Sequence, residues 1–326
     1  MPSPALEEYQ IGWICALPIE AAAAEEMLDE NFETLEEQDN ADTNVYTLGQ
    51  IGKHYVVIAR LGGQYGTTSA TTVANHMMRT FSKSLRVGLM VGIGGGIPST
   101  TNDIRLGDIV VSYPTNTCSG VLQHDMGKIG EDGKLTHTGS LNSPPRLLLA
   151  AVDKMRTDML RKDPLYPSYI EKATQKNVRT RRNFSRPYPH QDRLFQIQYE
   201  HPPTAGSCND CSAEWEVPRC EREDDGPQPH YGIIASGNAV IKHGKTREQL
   251  REDMGALCFE MEAAGLMLDF PCIIIRGICD YADSHKNKQW QEYAALAAAS
   301  YTKELLGHVP RGQVMQEKLA ADICSM

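Results

Sequence analysis

The sequence predicts a three-layer α/β/α domain built on a central mixed sheet. Two observations carry that prediction. Short apolar runs alternate with Ala-rich or amphipathic stretches from Tyr9 to Leu306. One run, Cys272–Gly277 (CIIIRG), has the apolar character of a strand covered on both faces. With 326 residues, 41% hydrophobic and 23% charged, the chain can close one large core and is not a disordered polymer.

Tyr9–Leu17 reads as a buried strand, followed by a helix over Pro18–Leu28 with Pro18 in its first turn. Val45–Leu48 and His54–Arg60 form a strand pair around a turn at Gly49–Lys53. Thr67–Phe81 is helical, and Arg86–Val91 is a buried strand entering the turn Gly92-Ile-Gly-Gly-Gly96. Gly107–Tyr113 is a strand and Arg146–Met155 a helix. The rhythm returns with a strand at Tyr231–Ala235, a helix at Thr246–Met254, a strand at Leu257–Phe259 and a helix at Met261–Leu268. The strand Cys272–Gly277 and the Ala-rich helix Trp290–Leu306 close the domain, and Asp283 reads as a helix cap.

Residues 158–229 break the pattern. They hold nine of the 18 prolines, a density that long helices and central strands do not tolerate. We read them as an insertion lying on a domain of residues 1–309, with 310–326 as a C-terminal tail.

Composition narrows the function. A formal charge of -10 disfavours general nucleic-acid binding, which depends on neutralising phosphates. No run is long and apolar enough to span a bilayer, and the first ten residues lack a basic and apolar leader pattern. Cys15, Cys258, Cys272 and Cys279 sit inside apolar runs, so we expect a reducing, cytoplasmic setting.

Six features carry chemistry. Asp280 follows the Cys272–Gly277 strand, where ligands of parallel α/β sheets sit; it is a candidate acid or base, with helix capping as the plainer alternative. Glu260 and Glu262 flank a strand-to-helix switch. A carboxylate there can accept two hydrogen bonds from a vicinal diol, or simply favour a helix N-terminus. Glu20 lies at the first turn of the first helix, where it would repel phosphate. Gly92–Gly96 lets backbone approach a ligand but is neither a P-loop nor a dinucleotide fingerprint. Cys208-x-x-Cys211, with Cys220, His201 and His230 nearby, could supply half of a structural zinc site, though the second pair lacks standard spacing and no catalytic metal is expected. Arg179–Arg193 is a basic stretch, either solvated or phosphate-binding.

In this order the motifs resemble the superfamily of purine nucleoside phosphorylases and methylthioadenosine/adenosylhomocysteine nucleosidases, and within it the fungal branch found alone or at the N-terminus of NLR-like proteins. The blocks are Ile11–Glu20, Val91–Gly96 with Leu106–Ser112, Ile234–Asn238, Phe259–Ala263 and Ile275–Asp283. The resemblance implies that Asp280 protonates N7 of the leaving base, Glu262 grips the ribose diol, Met261 packs under the sugar and Glu20 activates water. It also implies that Ile241 offers backbone to the base edge and Trp290 lines the 5′ side. Two positions depart from the pattern: Val240 replaces a stacking aromatic, and Ile93, beside Gly94, replaces Ser or Thr near the nucleophile.

The implied activity is hydrolysis of the N-glycosidic bond of adenosine-type nucleosides or nucleotides, ATP included, with water as nucleophile. No metal or organic cofactor is required, and a homo-oligomer is expected. A phosphorylase is the alternative, with Arg60 the residue able to rescue a phosphate site; a non-catalytic nucleoside sensor is the other. Lys128, Arg193, Lys242, His243 and Lys245 suggest that the insertion folds over the pocket mouth and reads substrate phosphates.

Overall fold

The computed structural model describes residues 3–35, 37–115, 118–131 and 135–324. Its strands are β1 Tyr9–Cys15, β2 Glu30–Asn31, β3 Thr47–Ile51, β4 His54–Arg60, β5 Val87–Gly96, β6 Ile109–Ser112, β7 Val121–Gln123, β8 Gly127–Ile129, β9 Leu135–His137, β10 Pro229–Ser236, β11 Ala256–Glu260 and β12 Cys272–Asp280. Its helices are α1 Pro18–Glu26, α2 Thr67–Thr80, α3 Arg146–Met159, α4 Tyr166–Gln175, α5 Val178–Phe184, α6 Gly244–Met254, α7 Gln291–Gly307, α8 Arg311–Val314 and α9 Ala320–Cys324.

The main sheet runs β11-β10-β6-β12-β5-β1-β4-β3-β2, with β7 on β10. It is mixed: β1 pairs in parallel with β4 and β5, β12 pairs in parallel with β5 and antiparallel with β6. The end of β5 also pairs antiparallel with β11 through Gly96↔Cys258 and Gly95↔Phe259. Five strands therefore close on themselves around the tip of β5. That closure is what makes a cavity rather than an open sheet edge.

Glycines let the helices settle on the two faces. Gly12 and Gly88 are register partners, and a Cβ at either would strike Met77 of α2 or Phe270. Gly277, paired with Ile93 five residues beyond Gly88, would strike the backbone of Ala294 in α7. Alternation along β5 puts α2 and α7 on opposite faces, giving the predicted three layers.

Three expectations change. β5 does not stop at Val91 but runs through Gly96, because main-chain pairing with β12 and β11 continues where side chains have no room. Met261–Leu268 is not a helix; it holds a single 3₁₀ turn at Ala263–Gly265, pressed so close to Thr67 that a Cβ on Gly265 would overlap its carbonyl. Residues 310–324 are not a loose tail: Val314 and Ala320 are fully buried, and the Ala320 N–H bonds the Leu85 carbonyl at 2.9 Å.

The insertion is folded. Glu304 of α7 accepts the N–H groups of Leu165 and Tyr166 at 2.8 and 2.7 Å, satisfying the free donors at the start of α4 from outside that helix.

Candidate active site

A cavity of about 220 Å³ opens where the carboxyl ends of β1, β5, β11 and β12 converge. Four carboxylates line it: Glu20, Glu260, Glu262 and Asp280. Each is held by a different local device.

Glu20 turns back on the start of its own helix. Oε2 accepts from the N–H of Ala16 at 2.7 Å and of Leu17 at 2.9 Å, and Oε1 from Ile93 N–H at 2.8 Å. Pro18 at the first helical position has no N–H to compete. Gly92 makes room, since a Cβ there would overlap Glu20 and Arg276. Burial raises the Glu20 carboxyl above the ordinary range, against the pull of Arg276 and the three N–H groups.

Arg276, fully buried in β12, lies behind the cavity wall. It forms an ion pair with Glu260 and approaches Glu262 at 3.5 Å. Glu260 also accepts from the N–H of Glu262 and of Ala263 at 3.1 and 3.0 Å, so it fixes the turn. Glu262 accepts from Gly66 N–H at 3.2 Å. Burial pushes its carboxyl up to about 7; Arg276 opposes this, while Glu260 and Glu20 reinforce it.

Asp280 ends β12. Its Oδ1 accepts from Ala282 N–H at 2.9 Å, and its Oδ2 pairs with Lys286 Nζ at 2.8 Å. Ala282 has φ 52°, a left-handed conformation that a non-glycine residue adopts only under constraint from its surroundings. Asp283 is not a helix cap: it accepts from His285 N–H at 2.9 Å and pairs with Arg247 at 3.2 Å.

Met261, Ile241, Val240, Ile93 and Gly94 also line the cavity, together with Tyr65, Cys279 and Gln291. Four expected residues lie elsewhere. Trp290 is fully buried in the core against Tyr293, because the preceding segment brings Gln291 rather than Trp290 to the cavity. Arg60 ends β4 exposed and outside the lining. Lys128 is exposed on the small β8–β9 hairpin. Arg193 is consumed inside the insertion, pairing with Glu216 and donating to the carbonyls of Cys208 and Cys211. No described residue of 158–229 lines the cavity, so the insertion does not cover its mouth in the expected way.

The insertion instead grips the segment after Asp280. Tyr281 donates to Asp192 and accepts from Arg219 Nη1 at 2.8 Å. Phe195 stacks on His285 at 4.1 Å, Cys208 Sγ donates to the His285 carbonyl at 3.3 Å, and Ser284 accepts from His201 N–H at 2.9 Å. Among the described residues, no group of three His, Cys, Asp or Glu side chains is arranged to hold a metal, Cys208 and Cys211 included. A larger cavity of about 350 Å³ lies between insertion and domain; of its arginines, Arg105, Arg219 and Arg222 are paired with aspartates, and Arg186 stands over the Trp290 ring at 6.0 Å.

Sequence reasoning missed Arg276 and Lys286. Arg276 had a signal: a charge inside the run CIIIRGIC needs buried partners, although the acids nearest in sequence, Asp280, Asp269 and Asp283, are not the ones it meets. Lys286 had none, because its reach back to Asp280 depends on the path of the 281–286 turn.

The mixed α/β fold around a central multi-strand sheet is that of the nucleoside phosphorylase and nucleosidase class. The chain belongs to the phosphorylase superfamily, whose sequence model matches residues 10–307. It is 51% identical over 306 residues to a nucleotide-binding leucine-rich repeat (NLR)-like protein of Hyaloscypha variabilis, covering 94% of this chain but only 30% of that protein. It is 22% identical over 309 residues to a 5′-methylthioadenosine/S-adenosylhomocysteine nucleosidase of Mycobacterium bovis, covering 92% and 96% of the two chains. The fold matches the futalosine hydrolase of Helicobacter pylori with a TM-score of 0.59 at 17% identity, over 93% of this chain and 99% of that one. An 81-residue stretch, 23% of this chain and 16% of the relative, is 36% identical to an ATP nucleosidase of Escherichia coli. Among the described residues, no helix is long and apolar enough to cross a membrane.

Proposed function

We propose that this chain is a purine nucleosidase that hydrolyses the N-glycosidic bond of adenosine-type nucleosides or nucleotides, releasing free base and ribose or its phosphate. The observation that carries this reading is the pair of carboxylates, Glu20 and Asp280, lining one cavity with Glu262 beside them. Cleavage through an oxocarbenium-like sugar requires an acid for the leaving group and a base for water on either side of one bond. Asp280 delivers the proton to the base, Glu262 holds the ribose diol, and Glu20 takes a proton from the attacking water.

The electrostatics favour water over phosphate. Lys286 is the one cationic side chain among the described lining residues, and it is engaged with Asp280. Arg276 is committed to Glu260 and Glu262. A phosphate charge about 4 Å from Glu20 at an effective dielectric of ~20 would be repelled by about 4 kcal/mol. Arg60, the residue that would offset this, lies outside the cavity lining.

The relatives named as nucleosidases support the reading, and the 81-residue likeness to an ATP nucleosidase supports trying ATP as well as adenosine. The test is incubation with adenosine, inosine and ATP, with and without phosphate, followed by chromatography. The expected result is free base with ribose or its phosphate ester, at a rate indifferent to added inorganic phosphate. Ribose 1-phosphate formed from adenosine in proportion to phosphate would replace hydrolysis by phosphorolysis. Absence of free base from every purine nucleoside would leave a sensor.

A further inference from the structure

We propose that Lys286 is the proton source for Asp280, so that the leaving base is protonated by the Lys286–Asp280 pair rather than by a carboxylic acid acting alone. The inference rests on the nucleosidase reading and refines it.

The geometry is direct. Lys286 Nζ lies 2.8 Å from Asp280 Oδ2, and both residues line the cavity. The other oxygen of Asp280 is occupied by the Ala282 N–H at 2.9 Å, and Cys279 Sγ donates to Oδ2 at 3.2 Å. Both oxygens of Asp280 therefore receive donors. The ammonium beside it is the nearest proton that can be given.

The charged surroundings hold that proton on Lys286 until the departing base becomes basic. Burial works against the Lys286 ammonium, but the charge and hydrogen bond of Asp280 together outweigh it and hold the group above the usual lysine range, with Cys279 and Asp283 adding to the effect. Asp283 is itself paired with Arg247, and Glu20 contributes negative charge from across the cavity, where Cys279 feels it. Asp283 and Glu20 accept hydrogen bonds here, and the weak thiol donor of Cys279 stands farther from Oδ2, at 3.2 Å, than Lys286 Nζ at 2.8 Å.

The step balances without any added reactant. As the C1′–N9 bond breaks, its electron pair moves into the purine and N7 becomes strongly basic. Oδ2 takes the proton from Nζ and hands it on to N7, leaving a neutral base, a carboxylate and a neutral amine. Water forms the new C1′–O bond and gives its proton to Glu20. Solvent then removes that proton and restores the ammonium.

The same pair explains why the acid stands on a strained turn. Ala282 at φ 52° swings the chain so that Lys286, six residues on, returns to Asp280, and the insertion clamps that turn through Tyr281, Ser284 and His285.

Two substitutions separate a proton source from a bystander. Lys286→Met removes charge and proton; Lys286→Arg keeps the charge but cannot release a proton at any working pH. Adenosine cleavage is measured from pH 5 to 10 for wild type and both variants. We expect wild type to keep its activity to the alkaline side of neutrality. Lys286→Met should lose about 100-fold at pH 8 and regain part of that as pH falls, because Asp280 must then be protonated by solvent. Lys286→Arg should be as slow as Met at pH 8, and unlike Met should not recover in acid. Full activity of Lys286→Arg, or a Met variant whose alkaline limit moves upward, would overturn the proposal and leave Asp280 as a self-sufficient acid. If wild type releases no base, the nucleosidase reading itself falls, and the inference with it.

Discussion

The two ends of the cavity are built differently. Around Glu20 and Glu262, carboxylates are held by main-chain N–H groups of β5 and of the turns after β1 and β4, and by the buried Arg276. These supports belong to the sheet core. Around Asp280, the supports are a strained turn, one lysine and side chains of the insertion. The difference teaches where variation can enter. The Glu20–Glu262 end can change only with the sheet, whereas the Asp280 end can be retuned by residues 158–229 without touching the core. A long insertion that does not line the cavity still has a route to its chemistry.

The largest effect should come from the Asp280 end. Asp280→Asn should cut base release by about 10²–10⁴-fold, the usual cost of losing a general acid, with the melting temperature nearly unchanged. Near-full turnover by that variant would erase the distinction between the two ends, because Asp280 would then be scaffold.

The Glu20–Glu262 end should respond in stability instead. Arg276→Met leaves Glu260 and Glu262 buried without their cation, and removing one partner of a buried pair costs about 3–5 kcal/mol. Adding Glu260→Gln should recover part of that loss in denaturant titrations. An Arg276→Met protein as stable as wild type would show that the floor is not held by this pair.

Tyr281→Phe probes the link between insertion and acid. The Asp192–Arg219 pair survives at 3.1 Å, so only the hydroxyl's two hydrogen bonds are lost, a change of about 1 kcal/mol. If the clamp positions Asp280, kcat for base release should fall about fivefold while KM stays constant. An unchanged kcat would mean that the turn holds itself.

The legible and illegible parts of the sequence divide along the same line. β12 could be read because isoleucines side by side have one stable home, between two helical layers. Glu20, Glu262 and Asp280 could be placed at strand ends because apolar runs end there. The Gly92–Gly96 strand could not be read: glycine has no strand propensity, and what selects it is the approach of Glu20, Arg276, Phe259 and Asp280 from other elements. The end of Arg193 in a Glu216 pair, and of Arg222 on Asp108, likewise depends on partners 23 and 114 residues away. A basic stretch in sequence says that cations are present, not which anions they have already met.

That point makes the smallest expected effect informative. Arg193 and Lys128 were expected to read substrate phosphates. Arg193 spends its guanidinium on Glu216 and on two carbonyls of the Cys208–Cys211 turn, and Lys128 stands exposed on a hairpin outside the cavity lining. Lys128→Ala should therefore leave kcat/KM for both adenosine and ATP unchanged. Arg193→Ala loosens the insertion, and through the Phe195–His285 stack it can slow the acid, but that loss should fall equally on both substrates. The quantity to measure is the ratio of kcat/KM for ATP to that for adenosine, which should stay within about twofold of wild type, under 0.5 kcal/mol, as expected where no phosphate contact is lost. A selective loss on ATP would mean that the insertion reaches the phosphates after all, and that the Asp280 end of the cavity is tied to substrate reading as well.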